Sequence, residues 1–367
     1  MKIAVISDVI YPWVKGGGER RYYEVYKRLA QKHEVHWYTM FYKGMPSKNF
    51  VHEGMNVHCV CKAPENLYCK ARRKILPAIK FSLAIIPALV RERFDVIDSN
   101  QFPYLHNFPV KLFKKNRFII SWLEVWDKDY CREYCSPLIF HVQNSVLKLP
   151  DKIASISEST TRKIILLGVD EDKVVTIPLG INLVKTKSKK VKNRILFVGR
   201  LIKEKNIGLV LQAVRILKDK NVRVEFIVQG EGPEKENLKK KAKKLGLNDR
   251  VVFKGFVKTY QDIAELMASS KVFVLPSERE GFGLALLEAM SNDCVCLTLD
   301  HEDNAAMEFA KQGRGLILKK NAEAWAEAIE QVLKGKTWPD QKKIKSYIKT
   351  KTWDGVAQQV NKLLEGL

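Results

Sequence analysis

Two glutamates flank a glycine-rich turn in the second half of the chain. Glu280 directly precedes the turn, residues 281–283, and Glu288 follows inside an apolar run. Carboxylates can grip sugar diols because each one accepts two hydrogen bonds. The turn opens a predicted helix, whose first amides and dipole can hold a diphosphate. The pattern favours a site for a phosphorylated, hydroxyl-rich ligand; a capping acid and a solvated glutamate are the structural alternative.

A second group of candidate residues follows a strand-like apolar run. Gly199 and Arg200 come directly after Val198, and Lys205 lies five positions beyond Arg200. An arginine fork and a lysine point charge could both reach one anion. Ordinary surface cations are the alternative, because the chain has 64 Lys and Arg against 41 Asp and Glu, a formal net charge of +23.

A third group lies near the N-terminus, where Gly16, Gly17 and Gly18 precede Glu19 and a predicted helix. Consecutive glycines let backbone N–H groups approach a ligand closely. The run is not a GxGxxG fingerprint, because Arg21 occupies the third glycine position. A phosphate- or sugar-facing loop and a flexible turn are the two interpretations.

Short Val- and Ile-rich runs alternate with longer amphipathic stretches along the whole chain. Residues 19–31 and 71–91 are among the predicted helices. The predicted strands are residues 3–7, 35–39, 57–61, 95–99, 118–121 and 153–156 in the first half, and 195–199, 222–228, 251–253, 272–275 and 294–298 in the second. Several strands are apolar almost throughout, as parallel strands covered on both faces are. The alternation predicts doubly wound α/β sheets. Ligands of such sheets bind beyond the carboxyl ends of the strands, where all three groups lie.

The length of 367 residues predicts two domains, because a single core stops growing near ~250–300 residues. A lysine-rich segment at 185–192 has almost no apolar residues and is typical of a solvated linker. We predict an N-terminal Rossmann-like domain over 1–183, a linker over 184–193 and a C-terminal Rossmann-like domain over 194–350. Residues 351–367 are predicted to form a terminal helix.

These motifs closely resemble those of the retaining glycosyltransferases of the GT-B fold, family GT4. The resemblance is carried by the Glu280/Glu288 pair, by Gly199-Arg200 with Lys205, and by Gly230-Glu231-Gly232-Pro233 after a strand. Residues 252–257 resemble the base-binding loop of the family. The resemblance implies two Rossmann-like, doubly wound parallel-sheet domains facing a central cleft, with the C-terminal helix crossing back to the N-terminal domain.

The resemblance also implies a role for each matching residue. Arg200 and Lys205 would neutralise the diphosphate of a nucleotide-sugar donor, Glu280 would hold hydroxyls of the transferred sugar, and Glu288 would hold the ribose. No metal and no cofactor are implied, because the nucleotide-sugar is itself a substrate. The remaining donor-binding residues implied are Gly16, Gly17, Gly199, Gly230, Phe256, Gly281, Phe282, Gly283 and Leu284.

One departure from the family pattern concerns residues 121–126. Leu123 stands where related sequences often carry a His close to the reacting sugar. Glu124 and His106 are the candidates to serve in its place, and a third possibility is that the His is dispensable. The Asp-x-Asp patterns at 127–129 and 170–172 match metal-dependent glycosyltransferases, but so short a pattern arises often by chance, and we expect no metal site.

Partners and location follow from charge and apolar patterning. The apolar stretch 75–90 is flanked by Lys74 and contains Lys80, Pro77 and Pro87, so it falls short of the ~18–20 clean residues of a spanning helix. With the basic surface, it predicts docking on an anionic membrane face and a lipid-linked or other glycan acceptor, a solvated basic face being the alternative. Nucleic acid is not an expected partner, because no recognition motif is present.

The expected function is a metal-independent retaining glycosyltransferase. The odd cysteine count of 7 and the lack of a signal-peptide pattern favour the cytoplasm, with peripheral attachment to the cytoplasmic membrane face. The alternative is a basic GT-B-fold protein that binds nucleotide-sugars or polyanions with little catalytic activity.

Overall fold

The computed structural model describes residues 1–69, 72–113, 116–134, 136–184, 186, 188–255, 259–336 and 339–366. It divides into two compact units. The first unit comprises Met1–Gly180 and Trp353–Leu367, and the second comprises Ile181–Thr352. The first unit therefore ends three residues before the predicted boundary at 183.

The first unit is built on a mostly parallel sheet. Its strands are β1 (Lys2–Ile6), β2 (Glu34–Phe41), β3 (Asn49–His52), β4 (Met55–Lys62), β5 (Tyr68–Cys69), β6 (Arg72–Arg73), β7 (Val96–Asn100), β8 (Arg117–Trp122), β9 (Lys152–Ser155) and β10 (Val174–Thr176). Eight of them form one sheet in the order β10-β9-β8-β7-β1-β2-β4-β3, in which only β3 and β4 pair antiparallel. Strands β5 and β6 form a separate antiparallel pair.

Helices connect these strands. They are α1 (Gly17–Leu29), α2 (Ile75–Ala84), α3 (Ile86–Arg91), α4 (Asn107–Phe113), α5 (Lys128–Tyr134), α6 (Pro137–Leu147) and α7 (Glu158–Leu166). The prediction of one helix over residues 71–91 is wrong, because the structure has two helices with Ile85 between them. Pro87 has no N–H to donate to the carbonyl of Leu83, and its ring crowds that carbonyl, which ends the first helix.

The second unit has a six-stranded parallel sheet. Its strands are β11 (Val191–Val198), β12 (Glu225–Gln229), β13 (Val251–Lys254), β14 (Ser270–Leu275), β15 (Val295–Leu299) and β16 (Leu316–Leu318). Its helices are α8 (Ile207–Asp219), α9 (Lys235–Lys244), α10 (Tyr260–Ala268), α11 (Leu284–Ser291), α12 (Met307–Ala310), α13 (Ala322–Leu333) and α14 (Gln341–Lys349). The order β13-β12-β11-β14-β15-β16 is that of a doubly wound dinucleotide-type sheet.

The end of the predicted linker belongs to this sheet. Strand β11 begins at Val191, whose N–H donates to the carbonyl of Ser269 (2.7 Å). The Lys190 ammonium donates to the carbonyls of Ser270 and Asn292. Residues 191–193 therefore lie in the sheet of the second unit, although the side chains at 190–192 are exposed, and the predicted linker boundary at 193 lies inside a strand.

The C-terminal helix α15 (Trp353–Glu365) belongs to the first unit. It packs on α1, where Arg28 Nε donates to Asp354 Oδ1 (2.6 Å). Gly180 lies so close to this helix that a Cβ there would be 2.8 Å from the Cα of Trp353. In the part of the chain that the structure describes, no helix is both long and apolar enough to cross a membrane.

Candidate functional site

The neighbouring strands β11 and β14 mark the switch point of the second sheet. The chain leaves β11 towards β12 on one side, and β14 lies on the other side. Ligands of open α/β sheets bind in the crevice beyond such a pair of strands. Gly199 and the exposed side chain of Arg200 follow β11, and the loop with Glu280 follows β14. Two of the three predicted groups thus meet at one edge of this sheet.

The structure brings Lys205 and Glu280 into direct contact. Lys205 Nζ donates to Glu280 Oε1, and the two side chains are 14% and 15% exposed. Ser277 Oγ donates to the same carboxylate oxygen (3.4 Å), and the N–H of Glu278 donates to the carbonyl of Glu204 (2.9 Å). The loops after β11 and β14 are therefore joined by backbone and side-chain contacts, and Lys205 has a carboxylate partner that the sequence did not indicate.

Glu280 is held in place by backbone contacts with residues 303–305. Its N–H donates to the carbonyl of Asp303, and its carbonyl accepts from the N–H of Ala305, both at 3.0 Å. Asn304 Nδ2 donates to Thr298 Oγ1 (2.9 Å) and to the carbonyl of Leu299 (2.7 Å). The position of Glu280 thus depends on the end of β15, a support that sequence reasoning missed.

The turn before α11 needs its last glycine. Gly283 has φ +87° and caps α11, and a Cβ at this position would lie 2.4 Å from the Cβ of Ala306. Only glycine avoids both the backbone strain and this overlap. Gly281 and Leu284 are half-buried. Phe282 is buried and packs edge-to-face on Phe309 with ring centroids 4.8 Å apart, so its ring belongs to the core, and the expected donor contact stays a prediction.

Glu288 lies in the middle of α11 and is 6% exposed. Its carbonyl accepts from Asn292 Nδ2 (2.9 Å) and Ser291 Oγ (2.7 Å). The expected ribose contact by its carboxylate stays a prediction.

Gly230 and Gly199 touch through their backbones. A Cβ on Gly230, where φ is +148°, would lie 1.9 Å from the carbonyl oxygen of Gly199. The N–H of Leu201 donates to the carbonyl of Glu231 (2.9 Å), so the loops after β11 and β12 pack directly together. These glycines have a structural role at the strand ends, and donor contact there stays a prediction. Phe256 lies outside the described residues.

In the first unit, the glycine run forms the start of α1. Gly16 is the extended N-cap residue and Gly17 the first helical residue, and a Cβ on Gly17 would meet no atom within 4 Å. A Cβ on Gly18 would lie 2.4 Å from Leu123 Cδ1. Leu123, the residue in the place of the family His, therefore packs directly on the glycine run at the start of α1.

Glu124 follows Leu123 in a loop fixed by Gln101. Gln101 Oε1 accepts the N–H groups of Leu123 and Glu124 (3.1 Å for Glu124), and Gln101 Nε2 donates to the carbonyl of Glu124 (2.9 Å). The Glu124 side chain is half-buried. Sequence reasoning missed Gln101; the polar run 98–101 at the end of an apolar strand was the available signal.

His106 lies in the interior of the first unit. Its ring is fully buried and packs edge-to-face on Phe81 with centroids 5.6 Å apart. A ring with no exposed surface cannot touch a substrate, so the structure corrects its assignment as a candidate for the missing His.

A buried polar network lies beneath the α1 turn. Arg21 Nη1 donates to Ser121 Oγ (2.8 Å), which donates to Asp98 Oδ2 (3.1 Å). The hydroxyls of Tyr26 (2.5 Å) and Tyr22 (3.2 Å) donate to the two oxygens of Asp98. Burial raises the pKa of Asp98, while the Tyr26 hydrogen bond and the Arg21 charge oppose the rise. Arg21 Nε and Nη2 are buried with no hydrogen-bond partner among the described residues.

Two family models match the chain in its two halves. The model for Glycosyltransferase Family 4 matches residues 15–185, and the model for Glycosyl transferases group 1 matches residues 181–351. The chain belongs to the GT4-type glycosyltransferases. The Lys205–Glu280 contact and the Gly283 turn lie in the half that the group 1 model matches.

Known proteins resemble the chain over different lengths. It is 29% identical to the uncharacterized glycosyltransferase YqgM of Bacillus subtilis, over 62% of this chain and 64% of YqgM, so it spans less than two thirds of that relative. It is 24% identical to the capsular polysaccharide biosynthesis glycosyltransferase CapH of Staphylococcus aureus, over 88% of each chain. The structure of Anabaena HepE in complex with UDP matches with a TM-score of 0.76 and 16% identity, over 100% of both chains.

The two Asp-x-Asp patterns of the chain have structural uses. Asp127 Oδ1 accepts the N–H of Tyr130 (2.7 Å) at the start of α5, and Asp170 pairs with Lys173 (3.0 Å). Within the described ranges, no three His, Cys, Asp or Glu residues come together in a way that could hold a metal ion.

Proposed function

We propose that the chain transfers a sugar, with retention of anomeric configuration and without a metal ion, from a nucleotide-sugar donor to an acceptor hydroxyl. The observation that carries the proposal is the Lys205–Glu280 pair at the switch point of the second sheet, beside exposed Arg200 and the amides of the Gly283 turn. The UDP named in the HepE structure supports a nucleoside diphosphate as the donor's leaving group.

The chemistry follows from the charges of these groups. In the transfer, the bond between the anomeric carbon and the diphosphate breaks, and the acceptor oxygen forms the new bond to that carbon. Negative charge grows on the diphosphate as it leaves, and the acceptor's proton goes to it or to solvent. Arg200 and Lys205 would stabilise that charge, since fixed cations aimed at developing charge are usually the largest catalytic contribution.

Glu280 has a distinct part in this proposal. When a diphosphate takes over the Lys205 ammonium, the Glu280 carboxylate is left to accept hydrogen bonds from hydroxyls of the transferred sugar. We therefore expect a hexose or a related sugar as the group transferred. The Gly283 turn and the first amides of α11 would hold the phosphate oxygens, because a helix N-terminus favours an anion.

The acceptor is proposed to be a glycan, lipid-linked or part of another glycoconjugate. CapH acts, by its name, in capsular polysaccharide biosynthesis. A net charge of +23 would also draw the protein to an anionic membrane face, where lipid-linked acceptors reside.

The test is sugar transfer by the wild type, Glu280→Gln and the matched control Glu278→Gln, which alters the neighbouring acid paired with Lys320. UDP-, GDP- and ADP-sugars are supplied with glycan and lipid-linked acceptors, with and without EDTA. We expect at least a hundredfold loss in Glu280→Gln, little change in Glu278→Gln, no effect of EDTA and a retained anomer by NMR. Full activity of Glu280→Gln would contradict the role proposed for Glu280. An inverted product would contradict retention, and loss of activity with EDTA would contradict transfer without a metal ion.

A second candidate function is favoured by Leu123. This aliphatic side chain packs on the glycine run at the start of α1 and cannot exchange protons or accept hydrogen bonds. Its presence favours a nucleotide-sugar-binding protein with little turnover. Tight donor binding without transfer to any acceptor, and transfer gained in Leu123→His, would support this alternative.

A further inference from the structure

We propose that one face of the first unit, formed by α2, α3 and α4, docks on an anionic lipid bilayer. These three helices contact one another, and each leaves large apolar side chains in solvent. The exposed fractions lie between 39% and 75% for Ile75, Leu76, Ile79, Leu83, Val90, Phe108 and Leu112, which we call the α2–α4 face.

Helix α2 is apolar on both of its sides. Phe81 is fully buried in the core of the unit, as is Ile85 directly after the helix. Ile75, Ile79 and Leu83 are spaced by four residues, so they share the opposite face, where a surface helix normally carries polar side chains. Exposed apolar side chains clustered on helices that pack together mark an interaction site.

The charges around the α2–α4 face select the partner. Lys74, Lys80, Arg91 and Arg93 are exposed, and none of them forms a salt bridge with another described residue. Anionic lipid headgroups would satisfy these cations while the apolar side chains enter the acyl boundary. A second copy of the chain fits less well, because a two-fold contact through this face would bring the same cations together.

This inference extends the proposed function, because docking would bring the protein to a lipid-linked acceptor. It rests on the proposed function in that such an acceptor is assumed. Docking would hold the first unit at the bilayer surface. Binding to vesicles is measured without any donor or acceptor, so failure of the docking inference and failure of the transferase proposal are distinguishable.

The experiment is co-sedimentation of the full chain with phosphatidylglycerol–phosphatidylcholine vesicles and with pure phosphatidylcholine vesicles. The test variants are the double substitution Leu76→Gln and Leu83→Gln, and the double substitution Lys74→Glu and Lys80→Glu. The control for the leucine pair is the double substitution Leu166→Gln and Leu183→Gln, two exposed leucines elsewhere. The control for the lysine pair is Lys239→Glu and Lys243→Glu on α9, which changes the net charge by the same amount as Lys74→Glu and Lys80→Glu. Melting temperature checks that each variant is folded.

We expect wild-type binding only to the anionic vesicles, a loss of about tenfold or more in both test variants and less than about twofold change in both controls. Four results would overturn the inference: no wild-type binding, binding insensitive to the leucine pair, equal loss from the α9 pair, or a dimer in solution that the leucine pair dissociates. The last result would assign the face to a second copy of the chain.

Discussion

The regions around the first strands of the two sheets, β1 and β11, use charged residues in opposite ways. In the second unit, Lys205 and Glu280 keep 14% and 15% of their side chains exposed and pair with each other within reach of solvent. In the first unit, Arg21 and Asp98 are each 1% exposed and bind only to neighbours inside the fold. The region around the first strand thus carries an accessible charge pair in the second unit and a buried structural network in the first.

The difference shows where ligand chemistry can occur. A buried charge is costly unless it is paired and hydrogen-bonded. The Asp98 network satisfies its carboxylate with Tyr22, Tyr26 and Ser121, so it fixes α1 against β7 and β8. Lys205 and Glu280 lie on two loops with part of each side chain exposed, so each is able to leave the other and bind a ligand instead.

The largest effect is expected from the accessible pair. Lys205→Ala should lower kcat/KM for sugar transfer by about 10²–10³-fold, because removing one donor to developing charge costs about 3–4 kcal/mol. Lys203→Ala, an exposed lysine two positions away, should stay within about twofold of wild type. Equal losses in both variants would show a general effect of charge rather than a specific site.

The Gly283 turn gives the next largest effect, which is on stability. Gly283→Ala should lower the free energy of unfolding by about 3 kcal/mol or more, through strain at φ +87° and overlap with Ala306. Gly168 has φ +85° with open space around it, so Gly168→Ala should cost only about 1 kcal/mol. Urea unfolding of the two variants measures the difference. Equal losses of stability would show that overlap with Ala306 does not contribute.

The buried network predicts a graded effect of its two tyrosines. Tyr26→Phe should destabilise the fold by about 1–3 kcal/mol, because it removes a short hydrogen bond to a buried carboxylate. Tyr22→Phe should cost less, since its hydroxyl lies 3.2 Å from Asp98 against 2.5 Å for Tyr26. Chemical denaturation gives both values; a larger cost for Tyr22→Phe would reverse the order that the geometry predicts.

The smallest effect is a pH dependence. Burial raises the pKa of Asp98 above its ordinary 3.8, so the folded protein holds this proton more tightly than the unfolded chain. Ionisation of Asp98 therefore lowers stability as pH rises from 3.8 through the folded-state pKa. Asp98→Asn has no such proton, and its stability relative to wild type should improve from acid to neutral pH. A constant difference across that range would show that Asp98 has no raised pKa.

The second unit was the more predictable from sequence. Its site rests on contiguous motifs: the Gly283 turn, Glu280 and the Gly199–Arg200 step each lie within a few residues of a strand end. In the first unit, Pro87 was used to exclude a membrane-spanning helix but not to divide the predicted helix over 71–91. Strands β3, β10 and β16 were missed because they are short and incompletely buried, so they lack a clear apolar run.

The first unit's network could not be predicted because its contacts are remote in sequence. Arg21 and Ser121 are 100 positions apart, and Tyr22 and Asp98 are 76 apart. Such pairs depend on the sheet order β8-β7-β1 and on the face that α1 presents to it, neither of which a local pattern specifies. Lys205 and Glu280, 75 positions apart, were assigned to one ligand but not to each other for the same reason.

The central claim is that the second unit binds a nucleotide-sugar through Arg200 and its neighbours. The most direct measurement is thermal unfolding of the wild type and Arg200→Ala with UDP-, GDP- and ADP-sugars, with and without EDTA. Ligand at a hundredfold excess over Kd stabilises by about 2.7 kcal/mol. We predict a shift for one nucleotide that persists in EDTA and is lost in Arg200→Ala. An equal shift in both proteins, or no shift with any nucleotide-sugar, would contradict the claim.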